Sequence, residues 1–280
     1  MSRSSSSTSW SSSSSWSSSS SSPRRSRRER ARRRRACRRA RVAFLSSVPP
    51  HRIVRRYADR RCSGAHYCHS VEVTPIAPGL WRWTGYHEEW RQDVGSVYYE
   101  SRDGVVLVDP LVPPEDTARF WDALDRDVAK AGGEAHVLVT VFWHTRSAGA
   151  MIERYGARVW APARGKRAIA RRAGAVTDPF GAHDRLPAGV VAFATARANE
   201  VVYWLPGQRA LVPGDVLLAD GNGGIRLCPE SWLPERIGHG ELASSLRPLL
   251  DLPVERVLLS HGDPVLSGGR AALASALAVA

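Results

Sequence analysis

Polar residues capable of chemistry follow several of the predicted buried strands in this sequence. The apolar, β-branched run at residues 136–142 predicts a buried strand; Trp-His-Thr-Arg-Ser follows at residues 143–147, and small residues then open a helix. Two later predicted strands end in Gly-Asp at residues 214–215 and in Ser-His-Gly-Asp at residues 260–263. In α/β proteins the carboxyl ends of strands form the edge at which binding and catalytic groups collect. We therefore expect a functional site where these segments meet.

Strands and helices alternate along two successive parts of the chain, residues 71–190 and 190–280, which indicates an α/β protein. We interpret both parts as one four-layer α/β/β/α sandwich, with its chemistry at the loop edge where the two parts meet. Periodicity and turn signals predict strands at residues 76–83, 96–100, 104–109, 136–142, 157–161, 190–195, 200–205, 210–213 and 254–259. They predict helices at residues 113–131, 148–155, 165–173, 241–250 and 268–279.

Three stretches resemble the metallo-β-lactamase superfamily, in which a strand runs into Thr-His-x-His-x-Asp-His and then, after one residue, Gly-Gly and a helix. Thr140 matches the threonine, and Ala148-Gly149 match the glycines. Residues 200–218 resemble the hairpin that ends in Gly-Asp, and residues 257–262 resemble the closing strand with its histidine. The resemblance covers residues 71–280 and implies the same α/β/β/α fold.

The resemblance also implies which residues would hold metal. Asp215 and His261 match ligand positions, whereas the four positions of the first motif are occupied by Val141, Trp143, Thr145 and Arg146. Two of seven ligands cannot hold two zinc ions, because zinc needs about three protein donors each. His144, one residue beyond a ligand position, and His87, in the loop after the first strand, would complete a single-metal set with Asp215 and His261.

Each of these residues also has a purely structural interpretation. His144 could bond a backbone group at the strand end, and His87 could be a solvated loop residue. Arg146 could replace the charge of the metal by pairing with Asp215 or with an anionic substrate, or it could simply fill the old cavity with an ion pair. Asp109 is expected to cap backbone amides, and Asp263 is a candidate partner that orients His261.

Three functions follow from this resemblance. The first is a hydrolase with a degenerate metal site, acting on a small ester, thioester, lactone or phosphoester through metal-activated water, with Asp215, His144 and Arg146 as its catalytic residues. It would use one zinc or other divalent ion as cofactor, or none. The second is a non-catalytic module that binds an anionic ligand through Arg146 and His144. The third is an RNA-processing protein that uses the arginine-rich residues 24–41 as its RNA-binding arm.

Charge is concentrated at the start of the chain. The net charge is +13, but residues 1–70 hold 18 arginines against two acidic residues, which leaves residues 71–280 at −3. The serine-rich and arginine-rich residues 1–70 are predicted to be a disordered extension, because they cannot bury enough apolar surface to offset the entropy of folding. We therefore expect nucleic-acid binding only through that arm and not through the domain at residues 71–280.

The remaining composition favours a cytoplasmic protein. Four scattered cysteines do not form a disulfide framework, which suits a reducing compartment. No run of eighteen apolar residues predicts a transmembrane helix, so no membrane partner is expected. The oligomeric state is left open by the sequence.

Overall fold

The computed structural model describes residues 71–102, 104–181 and 184–278. The predicted extension at residues 1–70, including the arginine-rich arm, lies outside the described residues.

The first part of the chain forms a seven-stranded sheet whose strands follow one another in sequence order. Neighbouring strands are antiparallel from β1 to β4 and parallel from β4 to β7. The strands are β1 (Glu72–Ala77), β2 (Leu80–His87), β3 (Gln92–Ser101), β4 (Gly104–Val108), β5 (Ala135–Leu138), β6 (Arg158–Pro162) and β7 (Asp178–Phe180). Three helices connect or follow the parallel strands: α1 (Thr117–Lys130), α2 (Ala148–Tyr155) and α3 (Lys166–Ala173).

The second part forms a four-stranded sheet and a separate hairpin. The sheet has the order β13-β10-β9-β8, where β13 is parallel to β10 and the other pairs are antiparallel. These strands are β8 (Val191–Ala194), β9 (Val201–Leu205), β10 (Ala210–Val212) and β13 (Arg256–Val257); the hairpin consists of β11 (Leu217–Ala219) and β12 (Ile225–Leu227). The helices of this part are α4 (His239–Leu246) and α5 (Gly269–Ala278).

Three apolar clusters divide the molecule into four layers. The first cluster packs α1, α2 and α3 on the outer face of the seven-stranded sheet and includes Leu124, Met151 and Ile169. The second cluster lies between the two sheets, with Tyr203 completely buried. The third packs α4 and α5 on the outer face of the second sheet through residues such as Leu242. The predicted α/β/β/α sandwich is therefore confirmed.

Several predicted strands are shorter than the apolar runs that indicated them. The strand predicted at residues 136–142 ends at Leu138, because the backbone N–H and hydroxyl of Thr140 bond to the carboxylate of Asp109 and not to a neighbouring strand. The strand predicted at residues 254–259 has only two residues, Arg256 and Val257. The strand predicted at residues 76–83 is two strands, separated by a turn in which Gly79 has a positive φ of 72°.

Within the described residues, no helix is both long enough and apolar enough to cross a bilayer.

Asp127 on α1 is a buried carboxyl that should make stability depend on pH. Burial and the charge of Glu100 raise the pKa of Asp127 to about 6. A folded-state pKa above the unfolded value means that stability is highest at low pH and is lost as the pH rises through 6. We expect Asp127→Asn to raise the free energy of unfolding at pH 8 by about 1–2 kcal/mol, after allowance for solvent screening, and by about half as much at pH 5.

Urea unfolding at the two pH values measures this difference. Asp122→Asn is the matched control, since Asp122 is exposed on the same helix. An equal gain at both pH values, or an equal gain in the control, would contradict the assignment.

Candidate functional site

Three potential metal donors from three separate strand ends come together at one edge of the two sheets. His144 lies in a short 3-10 helix, Phe142–Thr145, that follows β5; Asp215 follows β10, and His261 follows β13. One donor atom from each lies within 4.8 Å of the others. Asp215 Oδ1 is 3.1 Å from His144 Nε2 and 3.0 Å from His261 Nε2.

His144 and Asp215 approach each other as two ligands of one metal ion would. His144 Nε2 and Asp215 Oδ1 are both buried, and neither makes a hydrogen bond despite their short separation. Their contacts are this ion pair and the one between Asp215 Oδ1 and His261 Nε2, and buried polar atoms that lack a well-directed hydrogen bond are rare and costly. Imidazole nitrogens and a carboxylate oxygen are donors that zinc accepts, and donor atoms of a tetrahedral site with bonds of about 2.0–2.1 Å lie roughly 3.3 Å apart. The three residues therefore fit a single divalent metal ion.

Asp109 orients His144 from the side opposite to Asp215. Its Oδ2 lies 2.9 Å from His144 Nδ1, and its Oδ1 accepts the backbone N–H of Thr140 at 2.9 Å. Asp109 has a positive φ of 48°, a conformation that aspartate tolerates better than most residues. The expected capping of a backbone amide is present, but the contact with His144 was not predicted. It directs Nε2 of the imidazole toward Asp215.

Asp215 is held by groups that the sequence did not reveal. The indole N–H of Trp143 donates to Asp215 Oδ2 at 2.6 Å. The carboxylate of Glu200 accepts the backbone N–H groups of Asp215 and Val216. Arg197 pairs with Glu200 at 2.7 Å, and both side chains are buried. Burial raises the pKa of Glu200 to about 7, against the opposing effect of Arg197.

The charges at the centre of the site are mutually stabilising. Burial and Arg146 favour the neutral imidazole of His144, but the carboxylates of Asp215 and Asp109 outweigh them, so the pKa of His144 lies above its usual value. Burial alone would raise the pKa of Asp215, yet His144 and His261 lower it far below the usual range. The two histidines therefore favour the ionised form of Asp215.

One interpretation of the sequence paired Arg146 with Asp215, but the two side chains do not form an ion pair. Its guanidinium donates to the carbonyl oxygens of Gly95 at 2.7 Å and of Asp109 at 2.9 Å, and to Ser260 Oγ at 2.6 Å. Arg146 also has a positive φ of 38°. These contacts link the two parts of the chain through a half-buried side chain, and Arg146 is not among the residues that line the pocket beside the three donors.

His87, the predicted fourth ligand, lies outside the group of three donors. Its imidazole stacks on Trp90, with ring centroids 4.0 Å apart, and its Nδ1 faces the backbone N–H of Trp90 at 3.4 Å. Trp90 in turn lies over the site, 5.6 Å from the His144 ring and 6.3 Å from the His261 ring. His87 therefore supports the aromatic wall of the site.

Further residues near the site have structural contacts. The hydroxyl of Ser147 accepts the backbone N–H of Val112. Asp263 does not orient His261, whose buried Nδ1 has no hydrogen-bond partner. Trp83 and Trp204 lie in the core. Cys228 is buried and unpaired.

Solved structures with the same architecture are metallo-β-lactamases. The enzyme from Pontibacter korlensis is 19% identical, with a TM-score of 0.55 over 75% of this chain and 98% of that one. The enzyme from Hirschia baltica is 17% identical, with the same TM-score and coverage. FIM-1 from Pseudomonas aeruginosa, solved in a mono-zinc form, is 16% identical, with a TM-score of 0.54 over 75% and 95%.

Neither a protein-family model nor a curated protein matches the sequence. At these identities the similarity establishes the fold alone. The chain therefore has the metallo-β-lactamase fold.

Proposed function

We propose that this protein is a hydrolase of the metallo-β-lactamase fold that uses one divalent metal ion, held by His144, Asp215 and His261. The observation that carries the proposal is that His144 Nε2, Asp215 Oδ1 and His261 Nε2 lie close together. The first two atoms are buried and lack a hydrogen bond. Its substrates would be small esters, thioesters, lactones or phosphoesters. A divalent ion bound there would polarise the substrate and lower the pKa of water toward neutrality.

The side chains around the donors have distinct roles in this proposal. Asp109 holds His144 with Nε2 free to act as a ligand. Trp143 occupies Oδ2 of Asp215 and leaves Oδ1 for the metal. Glu200 fixes the backbone of Asp215, so that its carboxylate does not have to reorganise when metal binds. Preorganisation of this kind is what an electrostatic catalyst requires.

The anion-binding alternative has less support. Arg146 and His144, the residues it requires, do not line the pocket, and the guanidinium already bonds to two carbonyl oxygens and a hydroxyl. The RNA-processing alternative depends on residues 24–41, outside the described residues. A cytoplasmic location stays a prediction.

Removal of a donor should abolish metal binding. We expect the full chain to contain about one zinc, manganese or iron per molecule by elemental analysis, and Asp215→Ala and His261→Ala to contain none, because two remaining donors cannot hold the ion. After metal reconstitution, the unaltered chain should hydrolyse at least one of the four substrate classes, and both variants should fall to the uncatalysed rate.

His87→Ala is the control, and it should retain the metal because His87 lies outside the donor group. A folded unaltered chain that takes up no metal, or one that takes up two ions, would refute the proposed centre.

Asp109→Asn should weaken metal binding without removing a ligand. An asparagine keeps an oxygen for Thr140 N but its amide no longer favours the imidazole tautomer with a free Nε2. Loss of such an outer hydrogen bond typically lowers metal affinity 10–100-fold. Competition with a chromophoric chelator measures the affinity, and thermal unfolding of the metal-free protein reports any separate loss of stability.

The control is Asp263→Asn. Asp263 is close to His261 in sequence, but its carboxylate does not bond to His261 Nδ1. If Asp109→Asn binds metal as tightly as the unaltered chain does, Asp109 has no orienting role.

A further inference from the structure

A pocket opens directly beside the three donors. It has a volume of about 320 Å³ and is lined by Trp90, Gln92, Trp143, Arg197, Asp215, Trp232 and His261. This volume is at the lower end of the range for small-molecule sites. This space is large enough for a small molecule with one or two rings and too small for a macromolecular substrate.

The walls of the pocket are mainly aromatic. Trp143 is held in place by its hydrogen bond to Asp215, and His87 covers one face of Trp90. Trp232 is 46% exposed and is one of three large apolar side chains on the surface among the described residues. An exposed tryptophan beside a pocket loses unfavourable contact with water when a ligand covers it. Three indoles around one small space favour a flat ligand, because aromatic rings prefer offset-stacked or edge-to-face contacts.

The charges in the lining favour an uncharged ligand. Arg197 is the one arginine or lysine of the lining, and it is already paired with Glu200 and bonded to the carbonyl oxygen of Trp232. A carboxylate on the ring of the ligand would therefore gain little from it. Asp215 is the one carboxylate of the lining, and it already contacts Trp143, His144 and His261, so a cation on the ligand would gain little from it either.

We propose that this pocket binds the uncharged aromatic acyl group of a small carboxylic ester. This inference rests on the proposed function, because only a hydrolase would use the bound ester as a substrate. The carbonyl would lie toward Asp215 and His261 and the ring among the indoles. Water adds to the acyl carbon, the bond from that carbon to the alkoxy oxygen breaks, and the leaving oxygen takes a proton from the water. The products are an aromatic carboxylic acid and an alcohol.

The test measures binding without turnover. Phenylacetamide, cyclohexylacetamide and acetamide are uncharged analogues that hydrolyse far more slowly than esters, and the first two differ only in the planarity of the ring. We expect phenylacetamide to bind the zinc-loaded full chain about three- to tenfold more tightly than cyclohexylacetamide, the range that aromatic contacts typically supply. Acetamide should bind more weakly than either, as measured by calorimetry or by saturation-transfer NMR.

Trp232→Ala should weaken phenylacetamide binding at least about threefold, because it removes one aromatic wall from a surface position where the fold does not need it. Leu266→Ala is the matched control: Leu266 is equally exposed, at 45%, but does not line the pocket, and its loss should leave binding unchanged. Equal or tighter binding of cyclohexylacetamide, or normal binding by Trp232→Ala, would each overturn the inference.

Hydrolysis separates this inference from the proposed function. Esters of phenylacetic acid should be cleaved faster than those of cyclohexylacetic acid by the zinc-loaded chain. Selective binding of phenylacetamide by a chain that cleaves no ester would refute the hydrolase and keep the aromatic pocket. Ester cleavage with no preference for the planar ring would keep the hydrolase and refute the pocket assignment.

Discussion

Two arginines, the buried Arg82 and the half-buried Arg146, hold the loop that carries His261 against the first sheet, and the geometry of the site depends on them. Arg82 on β2 donates to the carbonyl oxygens of Leu259 at 3.1 Å and Gly262 at 2.8 Å, and Arg146 donates to Ser260 Oγ. The backbone of β3 comes equally close, since Gly95 N donates to Ser260 O at 2.7 Å. A Cβ at Gly95 would lie 2.6 Å from Arg82 Nη2, so this position needs glycine. His261 is thus placed by polar contacts with the other half of the chain.

These arginines explain how so many charges are buried near one another. Burial lowers the pKa of Arg82 to about 10, which still leaves it charged, and the carbonyl oxygens around it satisfy its donors. Buried ions are tolerated when their hydrogen bonds are satisfied and opposite charges lie close by. Arg146 stands at a position that matches a metal ligand in the family resemblance. Its guanidinium therefore supplies positive charge near Asp109 and Asp215, at a position where the resemblance implies a ligand histidine.

The sequence predicted the layers, and it singled out the three potential donors that the structure brings together, because both depend on local pattern. Asp215, His261 and His144 each follow an apolar run, and strand ends of adjacent sheets must meet at one edge. The sequence could not show the bond of Trp143 to Asp215, since it joins residues 72 positions apart and depends on the orientation of one indole. His87 was misplaced for the same reason, because its stacking on Trp90 is set by the tight β2–β3 turn. In the sequence, Arg197 and Glu200 are only a charged pair three residues apart, and nothing indicated that they contact the site.

The hydrogen bond from Trp143 also bears on how many metal ions the site can hold. A carboxylate that bridges two metals must offer one oxygen to each, but Oδ2 of Asp215 already accepts an indole N–H at 2.6 Å. Trp143 itself stands where the resemblance places a histidine ligand, and indole nitrogen is a donor of hydrogen bonds with no lone pair for a metal. In the proposed centre, Trp143 would therefore supply no ligand and would occupy the oxygen that a second ion would need. Its ring also lines the pocket, so the residue that would exclude a second ion is the one that contributes an aromatic surface.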